Sequence, residues 1–96
     1  MESERFEWDD AKADVNLRKH KIGFPEACTI LDDLYVTVDP DEIHAVAEPR
    51  WSATGLSIQG RVLLIVFTMR GDRVRIVSAR KATPAERREY ESQFGS

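Results

Sequence analysis

The sequence predicts a single α+β domain with two N-terminal helices, a four-stranded, mainly antiparallel sheet and a C-terminal helix. Three observations predict it. Residues 9–31 carry helix-start signals and apolar side chains at helical spacing. Residues 35–80 hold apolar runs joined by short turns, and the short connections between the last three runs require antiparallel neighbours. Thr83-Pro84-Ala85-Glu86 then spells a capping box that opens a last helix. Ninety-six residues suffice for one core and not for two.

Asp9 is a strong N-cap, with Asp10 in the first turn where a carboxylate suits the helix dipole. The first helix runs to His20 or Lys21, and Gly23 offers a left-handed stop. Trp8, Ala11, Val15 and Ile22 form the expected buried stripe, with Leu17 on its flank. Lys12, Asn16 and Lys19 recur at i, i+4 and i+7 and are expected to share a polar face.

Phe24-Pro25-Glu26 opens a shorter helix with Pro25 at its first position, and Ala27, Cys28, Ile30 and Leu31 as its apolar side. Asp32-Asp33 ends it, and Tyr35–Val38 reads as a short strand. Asp39-Pro40-Asp41-Glu42 reads as an acidic turn. The spacing of Asp32, Asp33, Asp39 and Asp41 matches no calcium loop, so no metal is expected. His44 lies in the following connection without a ligand partner and reads as a surface histidine.

Trp51–Ile58 is expected to pair with Val62–Met69 across Gln59-Gly60. The continuous apolar character of Val62–Met69 suggests a strand covered on both faces. Arg70-Gly71-Asp72-Arg73 reverses the chain into Val74–Arg80. In the final helix Ala85, Tyr90 and Phe94 are the expected contacts.

No apolar run approaches the ~20 residues of a membrane span, and the acidic N-terminus lacks the apolar region of a signal peptide. With Cys28 as the single cysteine, read as a core residue, the expected compartment is the cytoplasm. No cofactor motif is present. Net charge is −3, yet residues 61–88 hold eight basic side chains against two acidic ones, a local +6 that leaves −9 elsewhere. Such asymmetry suggests a basic surface for an anionic partner.

Cations at a strand end suit phosphate, because arginine offers a planar fork of donors and stays charged. RNA carries its own nucleophile, a 2′-OH that attacks the adjacent phosphate without a metal once both are positioned and the developing charge is stabilised. Arg75, Arg80 and Lys81 are candidates for stabilising charge, and His20 for proton transfer.

Phe6-Glu7-Trp8-Asp9, Lys12, Asn16, Lys19-His20, Gly23-Phe24, Arg50-Trp51, and Arg75-Ile76-Val77-Ser78-Ala79-Arg80-Lys81-Ala82 with Glu86-Arg87 and Tyr90 resemble the BrnT family. These are toxins of bacterial type II toxin–antitoxin systems. Lys21 is a departure, since the family more often runs from the histidine directly into glycine. The resemblance implies a RelE-like fold and a ribonuclease that halts translation. It implies neutralisation by a dimeric BrnA-like antitoxin in a heterotetramer, which meets operator DNA through the antitoxin and represses its own operon. It carries Lys12, Asn16, Lys19, His20, Arg50, Arg75, Ser78, Arg80 and Lys81 onto the RNA site. Arg70 and Arg73, outside the residues that carry the resemblance, are further candidates for RNA binding. The competing reading is a non-catalytic, antitoxin-binding co-repressor or a degenerate toxin.

Overall fold

In a computed structural model that describes residues 1–43 and 47–95, the α+β class holds, but the sheet has five strands and is mixed. His44 lies outside the described residues. The elements are β1 (Phe6–Glu7), α1 (Asp10–His20), α2 (Phe24–Cys28) with a 3-10 turn (Thr29–Asp32), β2 (Thr37–Pro40), β3 (Trp51–Leu56), β4 (Val62–Arg70), β5 (Arg73–Lys81), and α3 (Pro84–Glu91) with a 3-10 turn (Ser92–Phe94). The strand order is β1-β5-β4-β3-β2. β2 through β5 pair antiparallel, as expected. The fifth strand is β1, which lies parallel to β5 at Phe6↔Val74 and Glu7↔Arg75. A two-residue strand carries no periodicity, so only its pairing makes it visible. This mixed sheet departs in detail from the RelE-like layout that the resemblance implies.

One face of the sheet carries the core. Ala53, Leu63, Ile65, Phe67, Ile76 and Ala79 pack against Trp8, Ile22, Phe24, Ala27 and Ile30. Phe24, Ile22 and Ile30 are fully enclosed, each worth ~1.5–3 kcal/mol of burial. Trp8 meets Phe24 edge-on at 5.7 Å. The other face of β4 is only half covered, at Leu64 and Val66, so this strand is not enclosed on both sides. Gly55 in β3 admits the 3-10 turn, since a Cβ there would sit 3.1 Å from the Ile30 carbonyl oxygen.

Local grammar accounts for most element ends. Asp9 accepts from the Lys12 N–H, and Thr83 with Glu86 completes the capping box. Gly71 takes φ 60° at the tip of the β4–β5 hairpin. The stop of α1 is Lys21, at φ 62°, and not Gly23, which is the N-cap of α2 with φ −83°. Asp39 and Pro40 extend the edge strand β2, where a proline costs no ladder bond on the solvent side.

The expected faces of α1 hold in part: Trp8 and Ile22 at its two ends are buried and Lys12 and Lys19 are exposed, but the middle of the helix is rotated. Val15 and Leu17 are 52% and 51% exposed, and Ala11 is exposed too, whereas Asn16 is 6% exposed. Ala13, Asn16 and His20 turn toward the sheet. On α3, Tyr90 is buried and Ala85 is not, and Phe94 stacks edge-on between Tyr35 and Tyr90.

Candidate nucleic-acid interface

Two local features of β5 create the site. The first is a bulge. Val66 pairs with Ser78 but Phe67 pairs with Ile76, which leaves Val77 as an extra residue. Strict alternation would put Ile76, Ser78 and Arg80 on one face. The extra residue breaks that alternation, so Ile76 and Ala79 share the core while Ser78 and Arg80 emerge on the half-covered face. The second is the outer edge of β5, which β1 covers only as far as Arg75. Further along, Asn16 takes the place of a neighbouring strand. Its Nδ2 donates to the carbonyls of Ala79 (2.9 Å) and Ile22 (3.0 Å), and its Oδ1 accepts from the Ala79 N–H (3.1 Å).

This clamp leaves a groove of about 340 Å³ between α1 and β5. Lys12, Lys19, His20 and Ser78 line it together with the apolar Val15 and Val77, and among the described residues no carboxylate does. Ser78 also opens onto a second hollow with Arg80, Ser52, Val66 and Asp41. The structure therefore brings Lys12, Lys19, His20 and Ser78 together and sets Arg80 across the strand from them. Asn16 is at the same place but turned inward, its amide committed to backbone.

The other expected residues are dispersed. Lys81 lines a separate hollow with Arg61 and Arg87. Arg75 donates to Glu7 at 2.7 Å, at the β1–β5 junction. Arg73 pairs with Glu2 and donates to the Ser3 carbonyl, and Arg70 pairs with Glu48. Arg50 is half-buried at the end of β3, its carbonyl accepting from the Asp41 N–H.

The charge asymmetry of the sequence is largely cancelled in space. Arg61, Arg70, Arg73, Arg75, Arg80 and Arg87 are held by Glu26, Glu48, Glu2, Glu7, Glu86 and Glu91. The cations with no ion-pair partner among the described residues include Lys12, Lys19 and Lys21 on or beside α1, and Lys81. The segment that looks most basic in sequence is thus the one most fully neutralised.

Arg80 and Glu86 form a bidentate pair at 2.7 and 3.0 Å, and the Thr83 N–H also donates to Glu86. The Arg80 guanidinium above all, with the Thr83 bonds, holds the Glu86 carboxyl down at about 2. Glu26, nearly buried, is likewise held low by Arg61 and the Ser57 hydroxyl. Asp33 is raised by burial, but the donors from Leu56, Tyr90 and Tyr35 outweigh this and leave it low. Burial raises the Cys28 thiol to about 11, so it carries no thiolate chemistry.

Depressed carboxyls stabilise the fold at pH above their unfolded values, near 4.5 for Glu and 3.8 for Asp. That contribution is lost as pH falls through the folded values, reaching about 2 for Glu86. The midpoint of thermal unfolding is expected to hold steady from pH 7 to 5 and to fall steeply below 4.5. Glu86→Gln should flatten part of that fall. A wild-type midpoint independent of pH down to 2.5 would show that these pairs add nothing to stability.

A sequence model described as the ribonuclease toxin, BrnT, of type II toxin–antitoxin systems matches residues 8–86. The chain belongs to the BrnT family. Among solved structures, the Brucella abortus ribonuclease toxin, BrnT, determined at 1.1 Å resolution, superposes with a TM-score of 0.66 at 23% identity. The match covers 84% of this chain and 99% of that one, and at this identity it establishes the shared fold. No curated protein matches the chain. The BrnT match spans α1 to the first turn of α3 and so contains the whole α1–β5 groove. Among the described residues there is no helix long and apolar enough to cross a membrane, and no group of three metal-ligating side chains.

Sequence reasoning missed Val15 and Val77 as groove residues and Glu7 and Glu86 as partners of the arginines. Asn16 was the available signal for the first pair. An asparagine in mid-helix is a poor helix former, and its tolerance there hints at an inward bond that would rotate Val15 outward.

Proposed function

We propose that this BrnT-family chain is a metal-independent endoribonuclease that acts in the cytoplasm and inhibits translation. The observation that carries this reading is the gathering of Lys12, Lys19, His20 and Ser78 around one groove that no carboxylate lines among the described residues, inside a ribonuclease-toxin family match. In this mechanism the RNA 2′-OH attacks the neighbouring phosphorus and the 5′-oxygen leaves. His20 takes the proton from the 2′-OH and returns it to the departing 5′-oxygen, which leaves a 2′,3′-cyclic phosphate. Arg80 stabilises the charge that develops on the phosphoryl oxygens, with Arg75 and Lys81 as more distant contributors to the field. Lys12, Lys19, Ser78, Arg50, Arg70 and Arg73 hold the strand, and Asn16 fixes α1 against β5. A BrnA-like antitoxin dimer binds the toxin as a heterotetramer, neutralises it and brings it to operator DNA.

A second reading is a non-catalytic antitoxin-binding co-repressor. The capture of Arg75 and Arg80 by Glu7 and Glu86 favours it. Primer-extension mapping of cellular RNA after a short expression pulse separates the two. New 5′ ends are expected in the wild type, and His20→Ala should lower their rate of appearance by ~10²–10⁴-fold with its fold intact. No new ends, with unimpaired growth, would overturn the ribonuclease reading in favour of a non-catalytic co-repressor or a degenerate toxin. A folded His20→Ala protein that cleaves like the wild type would remove His20 from proton transfer.

A further inference from the structure

The groove between α1 and β5 is built for more than phosphate. Its wall toward α1 is Val15, more than half exposed, and its wall toward the sheet is the bulged Val77. A β-branched residue exposed in mid-helix contributes neither to the core nor to helix propensity. Lys12 and Lys19 stand on the same rim, seven residues or about 10 Å apart along the helix. His20 and Ser78 add polar contacts beside them. An apolar trough between two cations matches a nucleotide chemically, with a flat base seated on the apolar walls and phosphates reaching either lysine.

We propose that this groove receives one unstacked nucleotide of single-stranded RNA, its base against Val15 and Val77 and its flanking phosphates on Lys12 and Lys19. The inference takes its substrate class from the ribonuclease reading. Size supports a single nucleotide, since about 340 Å³ lies at the small end of the ~300–1,000 Å³ of ligand pockets. Duplex RNA is a poor fit, because its bases are stacked and its deep groove is closed to side chains. A bound nucleotide would also lie beside Ser78, from which the second hollow leads to Arg80. The trough therefore sets the register of the strand against the charged side chains across β5.

The test uses a mixed-sequence 2′-O-methyl oligoribonucleotide, which binds but cannot be cleaved, so affinity is read independently of catalysis. On titration, the Val15 and Val77 methyl signals of the wild type are expected to shift. Val15→Glu, a change at a solvent-exposed position, should weaken binding at least tenfold while leaving the unfolding midpoint in place. Lys12→Gln with Lys19→Gln should lower the log–log salt slope by about 1.4, two phosphate contacts on a single strand. The same sequence as a duplex should bind more weakly. Unshifted methyls with wild-type affinity in Val15→Glu would overturn the pocket, and concurrent cleavage of cellular RNA would leave the ribonuclease reading standing. Wild-type protein that neither binds the oligonucleotide nor cleaves RNA would overturn both. Loss of antitoxin binding in Val15→Glu, with RNA binding intact, would reassign the groove to a protein partner.

Discussion

Asn16→Ala is expected to cost about 3 kcal/mol or more of stability, although it removes only a small polar side chain from a helix. Asn16 is 6% exposed and makes three hydrogen bonds to backbone groups of Ile22 and Ala79. Its loss strands the Ala79 N–H and carbonyl at the edge of β5 and the Ile22 carbonyl between α1 and α2, and each buried unsatisfied group costs ~1–3 kcal/mol. In a domain of this size the unfolding midpoint should fall by roughly 12–24 °C. Urea unfolding should show a lower midpoint at an unchanged slope, because the surface exposed on unfolding is the same. Asn16→Asp sharpens the argument. It keeps the acceptor for the Ala79 N–H but turns a charge toward two carbonyls. It should therefore be less stable than Asn16→Ala at pH 7 and regain stability toward acid pH, as the carboxyl protonates and can donate. A cost below 0.5 kcal/mol for Asn16→Ala would mean that α1 is held by its apolar contacts alone.

Asn16 also shows where the sequence was legible and where it was not. Caps, turns and the antiparallel meander act between residues close in the chain, so Asp9, Thr83 with Glu86, and Gly71 could be read directly. The face of α1 depends on a contact 63 residues away, and apolar spacing pointed to Val15 and Leu17 instead. The bulge at Val77 is likewise a relation between two strands. It cannot be seen in either one, yet it decides that Ser78 and Arg80 leave the core. The basic cluster was legible as composition but not as electrostatics, because its partners Glu2, Glu7, Glu26 and Glu48 come from distant parts of the chain. Of the expected site, the residues that converge are those on α1 and Ser78, joined by an edge contact rather than by charge density.

Arg80→Ala is expected to lower RNA cleavage by ~10²–10³-fold, the usual consequence of losing a preorganised donor to developing charge. The pair it forms with Glu86 makes this a sharp test. Two edges of the guanidinium are engaged, at Nη1 and Nη2 with Glu86 and at Nη1 with the Lys81 carbonyl. Of the five N–H donors of an arginine, the Nε–H and one Nη2–H remain for a phosphate, and the side chain is 38% exposed on the face beyond Ser78. Glu86 then acts as a brace that fixes the fork and lowers its net field. Glu86→Gln breaks the same ion pair and weakens the capping box, at roughly 1–2 kcal/mol of stability. It should nevertheless cleave at least as fast as the wild type, because it releases the positive charge of Arg80. If the pair were purely structural, the two substitutions would behave alike, with lower unfolding midpoints and unchanged cleavage per folded molecule. Single-turnover cleavage of one RNA by both variants decides between these outcomes. Arg80→Lys completes the series, since it keeps the charge but loses the fork, and it should fall between Arg80→Ala and the wild type if geometry as well as charge serves the transition state.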